Sequence, residues 1–132
     1  MDTVNIFSAE NPDGRVDVGR AVGSTAMLMF IYDLAPGQSS SPYHYEYDDE
    51  WLLVVEGTIV LRAPDGAHKV MNRSASPART LMFSSSRGPA VSVYPDSDKI
   101  GVFPGHEADE LIFRRGTAVP WTHGEEGWEQ AR

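Results

Sequence analysis

The sequence predicts an all-β domain, a sandwich or barrel of short strands. Three observations carry that reading. Apolar or alternating runs recur along the chain, about eight of them, each bounded by Gly, Pro, Asn, Asp or Ser signals. Helical periodicity is nowhere sustained. In Pro42–Gly57, finally, Tyr43, Tyr45 and Tyr47 alternate with His44 and Glu46, an aromatic period of two that belongs to a strand.

In chain order, residues 1–25 form a polar lead-in with a turn signal at Asn11-Pro12-Asp13-Gly14 and an edge strand at Val16–Val18. Ala26–Leu34 is the first long apolar run. Its length also fits a short buried helix, but Pro36-Gly37 and the strands that follow favour β. The Tyr-rich strand turns at Asp48-Asp49 into Trp51–Val55, which is apolar on both sides and reads as a strand buried on both faces. Only Glu56-Gly57 separates it from Thr58–Ala63, which suggests a tight hairpin. Strands follow at Ala67–Asn72, Arg79–Ser85, Val91–Tyr94, Ile100–Phe103 and Asp109–Arg115. Residues 26–116 form the domain body, and residues 117–132 are a tail that packs over one end.

At 132 residues the expectation is one domain, and a hydrophobic fraction of 41% supplies a core. A net charge of −8 argues against nucleic acid, which needs a basic face, and against anionic membrane surfaces. There is no apolar run of membrane-spanning length. Met1–Asn5 has no basic-then-apolar leader, which favours the cytoplasm. With no cysteine, thiolate metal sites and disulfides are excluded.

The chemistry-bearing residues cluster early. His44 and Glu46 are two apart on a strand and leave the same face, and Glu50 opens the next strand. An imidazole and carboxylates at a buried strand pair need a hydrogen-bond network or a cation. The bland alternative is a solvated acidic turn at 46–50 beside two ordinary histidines, His44 and His68. His106 and His123 read as loop residues, Met27, Met29, Met71 and Met82 as core filler, and Arg114-Arg115 as an exposed strand end. Tyr43, Tyr45 and Tyr47 face away from His44, in sheet packing or at a subunit contact. Neither a Gly-x-Ser-x-Gly elbow nor a phosphate-cradling glycine loop is present.

Gly37, six residues, His44-Tyr45-Glu46, three residues, Glu50, six residues and Gly57 resemble the first motif of the cupin superfamily. Glu46 stands where that motif usually has its second His, an oxygen donor for a nitrogen donor. Pro64-Asp65-Gly66-Ala67-His68 through Asn72 resembles the second motif, one residue short between Gly66 and His68. The resemblance spans Ala26 to Tyr94. It implies a double-stranded β-helix, or jelly-roll barrel, with one divalent metal (Fe, Mn, Ni, Zn or Cu) held by His44, Glu46, Glu50 and His68. Glu46 is alternatively a group supporting a ligand, or a general base.

Only six residues separate Gly57 from Pro64, where cupins carry a further strand–turn–strand unit. A naturally short chain and an engineered one both account for this. We expect instead a segment absent from this sequence near Gly66-Ala67, because losing paired strands would leave sheet edges open. Cupins include dioxygenases, isomerases, lyases and non-catalytic binders, and fold does not choose among them. The expectations are a metal-dependent enzyme on a small organic molecule, a small-molecule-binding or sensing protein, or a metal-free barrel with a structural acidic cluster. The expected partners are a small-molecule ligand and a second copy in a homodimer.

Overall fold

The computed structural model describes residues 3–63, 66–85, 89–105, 107–120 and 123–124. The strands are β1 (Arg15–Asp17), β2 (Met27–Leu34), β3 (Tyr45–Glu46), β4 (Glu50–Glu56) and β5 (Val60–Arg62). They continue with β6 (Lys69–Met71), β7 (Ala78–Ser85), β8 (Ala90–Tyr94), β9 (Lys99–Phe103) and β10 (Leu111–Arg114). One helical turn, α1 (Val18–Ala21), follows β1 and is capped by the Asp17 carboxylate, which accepts from the Arg20 amide at 2.9 Å.

Two four-stranded antiparallel sheets result, in the orders β1-β2-β7-β4 and β10-β9-β8-β3. β5 and β6 form a separate hairpin. Isolated bridges at Ser39↔Met71 and His44↔His68 tie that hairpin to the segment leading into β3, so it lies alongside the second sheet. The pairings among the described residues close no barrel; β1 and β4 stand at the edges of the first sheet.

The alternation of β2 explains how the first sheet is packed. Ile31 points to one face and meets Val18 and Leu81, and the lead-in residues Val4 and Ile6 pack over this cluster. Tyr32 and Leu34 belong to the opposite, interior face, where Leu34, Val70 and Met82 join the first sheet to the hairpin. Burying three such side chains is worth roughly 2 kcal/mol apiece, enough to hold the hairpin in place. Arg79 anchors the lead-in. Its guanidinium donates to both Asp33 carboxylate oxygens at 2.6 and 2.7 Å, and to the carbonyls of Ile6 and Ala9.

Several expectations are corrected. β4 is not buried on both faces. Trp51 is 49% exposed and Leu53 52%, because β4 is an edge strand and little covers its outer face beyond the stacking of Trp51 on Phe83. β4 and β5 form no hairpin either; β4 pairs with β7 and β5 with β6. Gly57 is the reason that turn is special. Its φ is +77°, and a Cβ there would fall 2.7 Å from the Pro77 carbonyl oxygen, so the chain crosses close over β7's entry instead of folding back. The edge strand read at Val16–Val18 is Arg15–Asp17, with Val18 already in α1. Of the three tyrosines, Tyr47 is exposed rather than packed on the sheet, whereas Tyr43 is buried under the Arg62 guanidinium, 4.3 Å from its ring. Met82 lies in the core, but Met27 is 41% exposed at the outer end of β2.

The short spacing between the motifs is accommodated directly. β5 and β6 pair with each other across the turn, and β6's other edge bridges to Ser39 while neighbouring His68 bridges to His44. The open edge that argued for an absent segment is therefore not found at β6. Pro64 and Asp65 of the second motif lie outside the described residues, as do His106 and the tail at 121–122 and 125–132.

Candidate functional site

The His44↔His68 bridge is the foundation of the site. The two residues exchange backbone hydrogen bonds, His44 N to His68 O at 3.0 Å and His68 N to His44 O at 2.6 Å. Residues so paired present their side chains to one face, and the two rings lie 4.6 Å apart. Glu50, the first residue of β4, enters from the other sheet. Its Oε2 is 2.8 Å from His68 Nε2. One donor atom from each of His44, Glu50 and His68 lies within 4.8 Å of the others.

Two details fit this trio to a cation. The Nδ1–H of His44 donates to the Pro42 carbonyl at 2.9 Å, with the Ser41 hydroxyl at 3.3 Å. That fixes the neutral tautomer and leaves the Nε2 lone pair facing the interior, the usual arrangement for a ligating histidine. His68 Nε2, for its part, is buried and has no hydrogen bond of proper geometry, although Glu50 Oε2 is near. Two donor atoms at hydrogen-bond distance but out of alignment suit lone pairs converging on a third point. Ligand atoms around one divalent ion stand roughly 3–4 Å apart, so a small contraction would close the set.

Glu46 is not part of that trio. Its Oε1 accepts from the Ser92 hydroxyl at 2.8 Å and lies 3.6 Å from His44 Nε2. The facing His44 imidazole, helped by Ser92 and opposed by burial, holds the Glu46 carboxyl below its ordinary range, so it stays ionised. Burial pulls the His44 pKa down, but Glu46 and the Pro42 carbonyl outweigh it and the net direction is up. Tyr94 stacks on His44 with ring centroids 5.9 Å apart. The first sheet contributes Tyr32, whose pKa is pushed up chiefly by burial. The Arg15 guanidinium beside it acts in the opposite sense, and Glu50 and Glu46 add to the rise.

Of the residues singled out in the sequence, His44, Glu50 and His68 are thus brought together, with Glu46 beside His44. His123 is exposed in a turn far along the chain, its amide donating to Pro120 O. Ser41, Ser92, Tyr94 and Tyr32 were not legible. Each reaches the site through strand register or a fold-dependent contact, and no local pattern marks them. A groove of about 450 Å³ between residues 7–11 and 76–79 is a poor rival. It lies by the lead-in, and four of the five donors of its Arg79 are already used.

No protein-family profile and no curated protein matches the chain. Solved structures do match. One is a sugar phosphate isomerase of the cupin superfamily from Silicibacter pomeroyi, with 24% identity, TM-score 0.69, and 82% of this chain aligned with 81% of that one. Another, from Acidithiobacillus ferrooxidans, also carries the name of a sugar phosphate isomerase, with 18% identity, TM-score 0.65, and 80% of this chain aligned with 78% of that one. At these identities the likeness is one of fold.

Proposed function

From a cupin-like fold with a His/Glu/His cluster in its interior, we propose a metal-dependent isomerase of a small phosphorylated sugar. The observation that carries the reading is the convergence of His44, Glu50 and His68 donors, with the buried His68 Nε2 left without a hydrogen bond. The names of the two structural neighbours support the choice of chemistry. We further read the two sheets and the hairpin as the halves of a jelly roll, and the protein as a homodimer formed through the exposed β4 face around Trp51 and Leu53.

His44, Glu50 and His68 would hold one divalent ion, which supplies Lewis-acid polarisation of a carbonyl oxygen and lowers the pKa of the adjacent C–H. Glu46, ionised and hydrogen-bonded by Ser92, is the base. Its carboxylate takes the proton from the carbon beside the carbonyl and returns it to the former carbonyl carbon. The hydroxyl proton passes between the two oxygens, so an aldose and a ketose interconvert with no net gain or loss of atoms or electrons. Tyr94 and the His68 ring fix the plane of His44.

The test is proton exchange. Metal-loaded protein incubated in D2O with aldose and ketose phosphates should place deuterium on the carbon next to the carbonyl, read by NMR. Glu46→Gln should lower that rate about 10²- to 10⁴-fold while leaving metal content unchanged. Metal-loaded protein that binds such sugars with no exchange in any of them would make this a binding protein and end the isomerase reading.

A further inference from the structure

On the interior side of the first sheet stands a cation that the proposed isomerisation does not use. Arg15 is the register partner of Tyr32, so the two side chains leave the same face. Tyr32 packs against the Leu34, Val70 and Met82 cluster, which makes that face the interior one. The Arg15 guanidinium lies 4.8 Å from the centroid of the Phe30 ring, two residues from Tyr32 on the same face. The register carries this face across to the site: Tyr32 pairs with Thr80, and Ser84, four residues further along β7, pairs with Glu50.

Arg15 is thus aimed but not neutralised. Among the described residues no carboxylate lies within ion-pair distance of it, in a chain of net charge −8. An arginine held over an aromatic ring, exposed to solvent, hydrogen-bonded to the Tyr32 hydroxyl and without an acidic partner keeps the remaining donors of its planar fork for an incoming anion. We infer that Arg15, set on Phe30 and next to Tyr32, binds the phosphate of the substrate while the His44/Glu50/His68 end receives its carbonyl.

Distance supports the pairing. Arg15 is three strands across and four residues along from Glu50, roughly 20 Å between Cα atoms at ~4.8 Å per strand and ~3.4 Å per residue. Two long side chains reaching toward each other leave on the order of 10 Å, the scale of an extended five- or six-carbon chain with a terminal phosphate. Tyr32, the register partner of Arg15, stands on the strand between β1 and β7, on the path from Arg15 to Glu50. Lys99, 5.5 Å from the Tyr94 ring, is the competing cation on the second sheet.

This assignment rests on the sugar phosphate reading but is tested apart from it. Calorimetric titrations would use glucose 6-phosphate, inorganic phosphate and glucose on wild-type, Arg15→Gln, Arg15→Lys and Lys99→Met protein, with metal content measured in each. The expected result is a loss of at least tenfold in affinity for glucose 6-phosphate and phosphate in Arg15→Gln. Arg15→Lys should show a smaller loss, because an ammonium lacks the bidentate fork. Metal content and melting temperature should not change, since Arg15 is exposed at a sheet edge. Wild-type protein that carries no metal yet still binds phosphate through Arg15 would sink the isomerase reading and keep this one. Unchanged affinity in Arg15→Gln, loss in Lys99→Met instead, or no binding of either phosphate probe by wild-type protein would overturn it.

Discussion

Asn72 and His68 lie four residues apart on either side of β6, and each places a buried polar atom in the interior, yet the surroundings of those atoms are opposite. Asn72 is fully buried and saturated. Its amide nitrogen donates to Leu34 O at 2.8 Å and Ser76 O at 2.7 Å, and its oxygen accepts from the Ser74 amide and hydroxyl. His68 Nε2 is buried without a hydrogen bond beside the Glu50 carboxylate. The first arrangement is closed; every polar atom has a partner within the chain. The second is open, and an unmet buried polar group costs about 1–3 kcal/mol that only an added partner recovers. Saturation separates the part of the motif that builds the fold from the part reserved for a ligand. The Arg79–Asp33 clamp belongs with Asn72, the His44/Glu50/His68 trio with the open class.

The largest effect should come from breaking the closed side. Asn72→Ala removes four hydrogen bonds and takes the side-chain donor from the Leu34 carbonyl, while Ser76 O keeps only the Ser74 hydroxyl, so stability should fall by about 3 kcal/mol in denaturant unfolding. A change under about 1 kcal/mol would show that water replaces the side chain and that the contrast with His68 is not one of saturation.

Arg79→Met comes next, and its effect carries a pH signature. Hydrogen bonding to Arg79, aided by its charge and opposed by burial, holds the Asp33 carboxyl below its ordinary 3.8. A depressed folded pKa contributes stability that is present above the unfolded value and lost as pH falls through the folded one. The stability gap between wild type and Arg79→Met should therefore be widest above pH 3.8 and narrow on further acidification. A gap that does not change with pH would mean that the arginine acts only through the Ile6 and Ala9 carbonyls.

The smallest effect on the metal-free protein is predicted for the open side. Glu50→Gln combined with His68→Leu removes both members of the misaligned pair, and metal-free stability should stay within about 1 kcal/mol of wild type or rise. A loss as large as that of Asn72→Ala would make the trio structural.

Much of the β framework was legible, because apolar runs bounded by Gly and Pro report strands locally. β2, β7 and β9 fall almost where the sequence puts them. What local pattern does not contain is pairing. Trp51–Val55 reads as doubly buried since nothing in it says that β4 is an edge, and Glu56-Gly57 reads as a hairpin although Gly57 serves a close passage over Pro77 and Ala78. His44, Glu46, Glu50, His68 and Asn72 were legible from motif spacing. That Glu46 turns to Ser92, 46 residues away, is a property of register alone, as is the placement of Arg15 opposite Tyr32.

The central claim is that the open cluster holds a divalent metal, and plasma mass spectrometry tests it most directly. Tag-free wild-type protein and a His44→Ala/His68→Ala variant would be compared as purified and after reconstitution with Fe, Mn, Ni, Zn or Cu. Near-stoichiometric metal is expected in the wild type, with its loss in a variant that still folds. A wild type that takes up none of the five ions, or a double variant that retains its metal, would contradict the claim.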